Sequence, residues 1–429
     1  MVAAPPPRWS SLSRDWPVPV GGDLSQWYQD RTGEPGHTDP VKPATRRAIP
    51  AAFTDRLLRA RWAVIAIIAA VSAVVAGGHG DWDHFVTVGR GMFGVDGLHV
   101  YVRHPDTQTG PLTLASARLL SFTPRDGFVA AALICLGLGL AAVGMIERAA
   151  ERIGTSQRTS EFVTLTGGCV VMFSWGKLGG FGHLDDAIVL TCAVAATVAA
   201  LRRKPWWVAT LLGIAIAAKP WAVILMPLVL VDVLPLRVFR WRSLGPAMLS
   251  GVIVCVTWLP FVVGAPGTLR ALRPTVKVAA DSVLALFGVT DTSLPAWLRV
   301  GQFVPALLIG LAIVLRGRYV GVLMAVIGVR LGSDPGTWAY YAAGLVVGGL
   351  LWDQLASRRR LPWAAIVASL LLAPTWLVTD STVRSVLRLM AAIASVLVAL
   401  FAARSPTPAH APLDESLRDV PGGATVTNT

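Results

Sequence analysis

Trp62-Ala-Val-Ile-Ala-Ile-Ile-Ala-Ala-Val-Ser-Ala-Val-Val-Ala-Gly-Gly78 carries no charge, with Arg61 directly before it and Asp81 shortly after. As a helix rising about 1.5 Å per residue, such a run covers most of the roughly 30 Å hydrocarbon core of a bilayer. Similar runs recur near 127–145, 162–175, 187–201, 206–218, 221–234, 246–264, 302–315, 319–331, 339–352, 362–378 and 385–403. About twelve candidate spans result, several shorter than the roughly 20 residues an upright helix needs. The pairs 206–218 with 221–234 and 319–331 with 339–352 read equally as broken or re-entrant elements.

Composition agrees with these runs. Of 429 residues, 54% are apolar and 15% charged, where an ordinary globular chain has about a quarter charged. The expected architecture is an all-α polytopic integral membrane protein over 56–404. Polar, mostly disordered tails are expected at 1–55 and 405–429. A soluble enzyme core and a nucleic-acid module are excluded, despite a net charge of +13. An excess of Lys and Arg in cytoplasmic loops accounts for that charge. Cys135, Cys169, Cys192 and Cys255 all lie in or beside apolar runs, and no CxxC occurs. Neither a disulfide framework nor a zinc site is expected, and no cleavable signal peptide is seen.

The basic clusters give an orientation. Arg56, Arg59 and Arg61 precede the first run, which puts the N-terminus in the cytoplasm. Counting spans onward, Arg148/Arg152/Arg158, Arg202/Arg203/Lys204, Arg237/Arg240/Arg242, Arg316/Arg318, Arg358/Arg359/Arg360 and Arg404 all fall on the same side. Both termini are then cytoplasmic. The opposite face receives 79–126, a turn between Lys177 and Asp186, the break Lys219-Pro220, 265–301, 333–338 and 379–384.

Most of the unusual polar residues sit on that outer face. Gly80-Asp81-Trp82-Asp83-His84 places two carboxylates at the end of the first span. They read equally as interfacial charges or as functional groups held at fixed depth. In Gly182-His183-Leu184-Asp185-Asp186, an Asp opening a helix suits the dipole and caps free N–H groups, which is the role assigned to Asp186. His183 has no such structural task and is assigned to function. Lys219 interrupts an apolar run of nearly thirty residues, which is costly unless it snorkels or meets an anion. Arg270, Arg273 and Lys277 are spaced by three and four, one face of a helix. That face suits a lipid phosphate or anionic headgroups alike, although Pro274 lies inside it. Ser333-Asp334-Pro335-Gly336-Thr337-Trp338-Ala339-Tyr340-Tyr341 reads as a tight turn. Trp338 is assigned there as an interfacial anchor, while Asp334, Tyr340 and Tyr341 are candidates to line a site.

The stretch Asp83 to Tyr101 with its Gly97, then Gly110-Pro111-Leu112, resembles the first outer loop of GT-C membrane glycosyltransferases. It is most similar to the polyprenol-phosphate-mannose-dependent family (glycosyltransferase family 87) typified by actinobacterial mannosyltransferases. An aromatic-Pro-Pro-Leu element usual there is reduced here to Gly110-Pro111-Leu112. Gly182-His183-x-Asp185 and Lys219-Pro220 resemble further elements of that family. The resemblance implies an inverting transfer of a sugar, mannose in that family, from a polyprenyl-phosphate donor to a lipid or glycan acceptor at the outer face of the plasma membrane. It implies Asp83 as general base, with Asp81 as the alternative. His183 and Lys219 are implied as donor-phosphate ligands, with Arg270, Arg273 and Lys277 joining them on charge. Asp185, Asp334, Tyr340 and Tyr341 are then substrate-binding.

A carboxylate is what the attacking hydroxyl requires, and a phosphate leaving group needs no general acid, unlike the carboxyl pair of a glycoside hydrolase. No cofactor is expected; a divalent metal at His183 with Asp185 stays open as an alternative but is not signalled, because hard-cation sites usually draw more oxygen ligands. Without GK[ST] or G-x-G-x-x-G, no soluble nucleotide-sugar is expected. A transporter or flippase of lipid-linked glycan, or a non-catalytic protein of the same fold, are the alternatives.

Overall fold

The computed structural model describes residues 51–78, 80–231, 244–272, 277–289, 296–372 and 377–401. The expected disordered tails, apart from 51–55, fall outside those residues, as do Arg237, Arg240, Arg242, Arg273 and Arg404. A helix is already under way at Ala51–Arg59, inside the stretch assigned to the first tail. All regular structure among the described residues is helical, and no strand occurs.

The principal helices are α1 (Arg61–Ala76), α2 (Gly80–Met92), α3 (Pro111–Leu120), α4 (Phe128–Arg152), α5 (Gln157–Phe181), α6 (Leu184–Leu201) and α7 (Pro205–Ala218). After a 3-10 segment, Pro220–Leu230, come α8 (Leu244–Gly264), α9 (Ala296–Leu315), α10 (Val322–Ser333), α11 (Ala342–Trp352), α12 (Trp363–Leu371) and α13 (Ser381–Phe401). Each of the twelve apolar runs therefore carries a helical element. The count of spans is a different matter. Among the described residues, five helices are long and apolar enough to cross a membrane, those ending at Arg152, Phe181, Leu201, Gly264 and Phe401, or six if α1 and α2 count as one bent span. The stretches Pro205–Ala218, Pro220–Leu230, Gly301–Leu315 and Tyr319–Ser333 are apolar but shorter. One expected turn is also displaced: α5 continues through Lys177 to Phe181, so only Gly182 and His183 separate it from α6.

The packing follows small residues. On α5, Gly176 and Gly180 lie one turn apart against α1. A Cβ added at Gly180 would stand 2.5 Å from the Ala73 carbonyl and 2.8 Å from the Ala76 Cβ. Only glycine lets the two backbones approach so closely. From α5 the contacts run to α4 and α11, from α4 to α6, from α6 to α7, and from α7 to α8. On the other side, α10 packs on α9, α11 and α13. One large apolar core results, with a second smaller one of Val88, Val100, Tyr101, Leu114, Trp258 and Phe261 joining the first loop to α8.

Two ends can be told apart. Arg61, at the start of α1, pairs with Glu147 at 3.0 Å and Glu161 at 3.4 Å, and Arg316 Nη1 donates to the Leu400 carbonyl at 3.3 Å. These are helix ends read from sequence as cytoplasmic. At the far ends of α1 and α5 the polar loops gather.

The break after α7 brings them together. Pro220 has no N–H, so the Ile216 carbonyl loses its helical donor. The Trp258 indole N–H fills that place at 3.3 Å. Lys219 turns extended (φ −155°, ψ 124°), and the freed Ala218 carbonyl accepts from the Gly110 N–H at 2.7 Å and the Thr113 hydroxyl at 3.0 Å. Orphan carbonyls at a helix end need such partners. Here they dock the first loop beside Lys219.

Candidate functional site

A cavity of about 360 Å³ opens where α2, the 104–110 segment, the α5–α6 corner, Lys219, α9, α10 and the 333–341 turn meet. Its walls include Asp81, His183, Asp185, Lys219, Asp334, Tyr340 and Tyr341, all singled out in the sequence. Four separate segments supply these seven residues.

The corner between α5 and α6 sets the centre. Gly182 takes a left-handed φ of 77° at the end of α5, a conformation suited to glycine at a helix C-terminus. The chain then re-enters a helix at Leu184, aiming His183, Asp185 and Asp186 inward. All three are buried. His183 Nε2 stands 2.6 Å from Asp81 Oδ2, and its Nδ1 stands 3.4 Å from Asp185 Oδ1. Both ring nitrogens approach carboxylates without the alignment of a hydrogen bond. The Tyr340 ring lies on the imidazole at 3.7 Å between centroids.

Burial alone would depress the His183 pKa, but Asp185 and Asp81 beside the ring outweigh it and raise it. In return the His183 ring, against the opposing effect of burial, holds the Asp81 carboxyl below the usual carboxylate range. The two shifts agree in sign and favour a charged pair.

Lys219 is not a free cation. Its Nζ lies 2.8 Å from Asp185 Oδ2 and 2.6 Å from Asp186 Oδ2. Asp186 Oδ1 also accepts from the Trp221 indole at 3.0 Å. Asp186 therefore anchors Lys219 and Trp221, and the capping role read from sequence is corrected. His183, Asp185 and Asp186 converge closely enough for a cation, yet the Lys219 ammonium already sits against both carboxylates. The donor set does not fit a metal while that lysine is charged.

Asp83 and the described members of the basic cluster lie off the cavity. Asp83 is exposed and does not line the cavity, whereas Asp81 does. Of the helix expected to carry Arg270, Arg273 and Lys277, the described residues show Thr268–Ala271 only, Lys277 is not helical, and Arg273 lies outside the described residues. Arg270 and Lys277 are exposed and do not line the cavity. Trp338, read as an anchor, does line it, stacked near Tyr340.

Sequence reading passed over Arg330, Trp221, His84 and Gln302, which line the same cavity. For Arg330 the signal was present: an arginine inside an apolar run defaults to a functional reading. It also passed over Asp281, which binds Arg384 at 3.1 Å, Arg388 at 3.0 Å and the Thr337 hydroxyl. With the Ala279 N–H on the Pro335 carbonyl at 2.9 Å, Asp281 ties the 265–301 segment to the turn that carries Asp334 and Trp338.

No family model, no curated protein and no solved structure matches this chain.

Proposed function

We propose that the chain is a membrane glycosyltransferase that moves a sugar from a polyprenyl-phosphate donor to a hydroxyl of a lipid or glycan acceptor. The observation that supports it best is Asp81, half-exposed in the cavity and kept charged by the buried His183. In this reading Asp81 takes the proton of the acceptor hydroxyl as its oxygen bonds to the anomeric carbon. The bond from that carbon to the phosphate oxygen breaks, and its electron pair leaves with the lipid phosphate. Attack opposite the leaving group inverts the anomeric centre. Tyr340, Tyr341, Trp338 and Asp334 offer ring faces and a carboxylate to the sugar. About twelve helical elements cross or enter the plasma membrane, both termini are cytoplasmic, and the cavity opens outward. Mannose as the sugar rests on the family resemblance alone.

The test is incubation of purified full-length protein with radiolabelled polyprenyl-phosphate-mannose and membrane lipid extract. A positioned base contributes about a hundredfold to ten-thousandfold. Asp81→Asn should lose product formation by about that factor, and Asp83→Asn far less. The reverse ranking would return the role to Asp83, and no product from the unsubstituted protein with any lipid-linked sugar would sink the reading.

A further inference from the structure

Among the cations that line the cavity, Arg330 alone has its hydrogen-bonding capacity unspent. Lys219 is held between two carboxylates. The Arg330 guanidinium instead lies over the Trp221 ring at 4.3 Å and the Tyr341 ring at 4.9 Å. Its nearest carboxylate oxygen, Asp334 Oδ2, is 3.5 Å from Nε. That carboxylate is already engaged, since its Oδ1 accepts the Gly336 N–H at 2.9 Å. None of the guanidinium N–H groups makes a hydrogen bond among the described residues. The side chain is only 17% exposed, so water satisfies it poorly. A desolvated guanidinium carries five donors, and leaving them unused costs free energy that a fitting acceptor recovers. Arg330 lines the cavity, so an acceptor held there meets the guanidinium. A planar fork of that kind suits the paired oxygens of a phosphate.

The charges around it limit what that acceptor can be. Asp81, Asp106, Asp185 and Asp334 line the cavity, and Asp186 abuts Lys219. Against these five carboxylates stand Lys219, Arg330 and a protonated His183. The walls are net negative, so each further charge on a ligand is repelled at close range.

We propose that Arg330 is the anion ligand of this cavity, and that it takes a singly charged phosphodiester of a lipid in preference to a diphosphate or free phosphate. The proposal deepens the glycosyltransferase reading, on which its choice of a lipid ligand rests. It also moves the anion site from the exposed Arg270 and Lys277 to a residue on α10.

The experiment measures equilibrium binding to full-length protein in nonionic detergent. The probes are radiolabelled farnesyl methyl phosphate, a singly charged diester, with farnesyl diphosphate, inorganic phosphate and farnesol as competitors. The diester should bind at least tenfold more tightly than the diphosphate, and farnesol and inorganic phosphate should compete poorly. Arg330→Gln should weaken the diester at least tenfold, Arg330→Lys by less, and the double variant Arg270→Gln/Lys277→Gln hardly at all. Undiminished diester binding by Arg330→Gln would overturn the proposal, as would tighter binding of the diphosphate to the unsubstituted protein. Should Arg330→Gln fail to fold, Arg330→Lys and the comparison of probes still decide it. Nanodiscs of phosphatidylcholine and of phosphatidylglycerol identify the source of the diester. Displacement of the probe by phosphatidylglycerol supports a bulk headgroup, and resistance to it a dedicated donor lipid. Diester binding through Arg330 without any sugar transfer would leave this inference standing while the transferase reading fell. Transfer with an unchanged donor KM in Arg330→Gln would do the opposite.

Discussion

Asp81 and Asp83 are two residues apart, and on a helix that is about 200° of rotation. Only one of them can face the cavity, and in α2 it is Asp81. Sequence could place both at the membrane boundary but could not set the phase of a helix that begins at Gly80. The same holds for Lys219: its position was legible as anomalous, while its two carboxylate partners, 33 and 34 residues earlier, were assigned other tasks. The Asp81–His183 pair carries a pH prediction. A carboxyl whose folded pKa is lowered contributes stability, and remains available as a base, above its ordinary range; both are lost as pH falls through the depressed value. The raised imidazole contributes below its ordinary value, near 6.5, and that contribution is lost as pH rises through the raised one. Turnover should therefore persist to a pH below the usual carboxylate range, about 4. In His183→Gln the acid limb should move upward, because the group that depresses Asp81 is gone. A pH–rate profile with an unmoved limb would separate His183 from the base.

At the scale of elements, hydrophobic runs located the helices well because apolar length is a local property of the chain. They did not fix the number of crossings, since runs such as 206–218 and 221–234 become a helix and a 3-10 segment meeting at Pro220. The seam between α1 and α5 was legible only as a scatter of glycines; which of them faces a neighbour depends on tertiary packing. Gly180 supports a sharp test. A valine there must displace the Ala73 backbone, and overpacking of this kind costs about 1–3 kcal/mol. The thermal midpoint of Gly180→Val in detergent should fall. Gly137→Ala on α4, where an added Cβ meets nothing within 4 Å, should leave it level or slightly higher. Equal behaviour of the two variants would mean that α1 and α5 do not pack as described.

For the molecule as a whole, the proposed orientation is decided by which end of the bundle meets the outside. Val95 is 89% exposed in the first loop, on the cavity end. In a variant lacking the native cysteines, Val95→Cys should react with a membrane-impermeant maleimide in intact cells. Reaction only after permeabilisation would reverse the orientation and place the cavity in the cytoplasm. The junction at Ala218 bears on how such a bundle is completed during synthesis. Its carbonyl waits for no later part of the chain, because Thr113, which donates to it, was made 105 residues earlier. At ribosomal rates of about 5–20 residues per second, the first loop is in place roughly 5 to 20 s before α7 arrives. The first loop is thus already made when the break forms, and a loop held away from the bundle would leave the Ala218 carbonyl without its Gly110 and Thr113 partners.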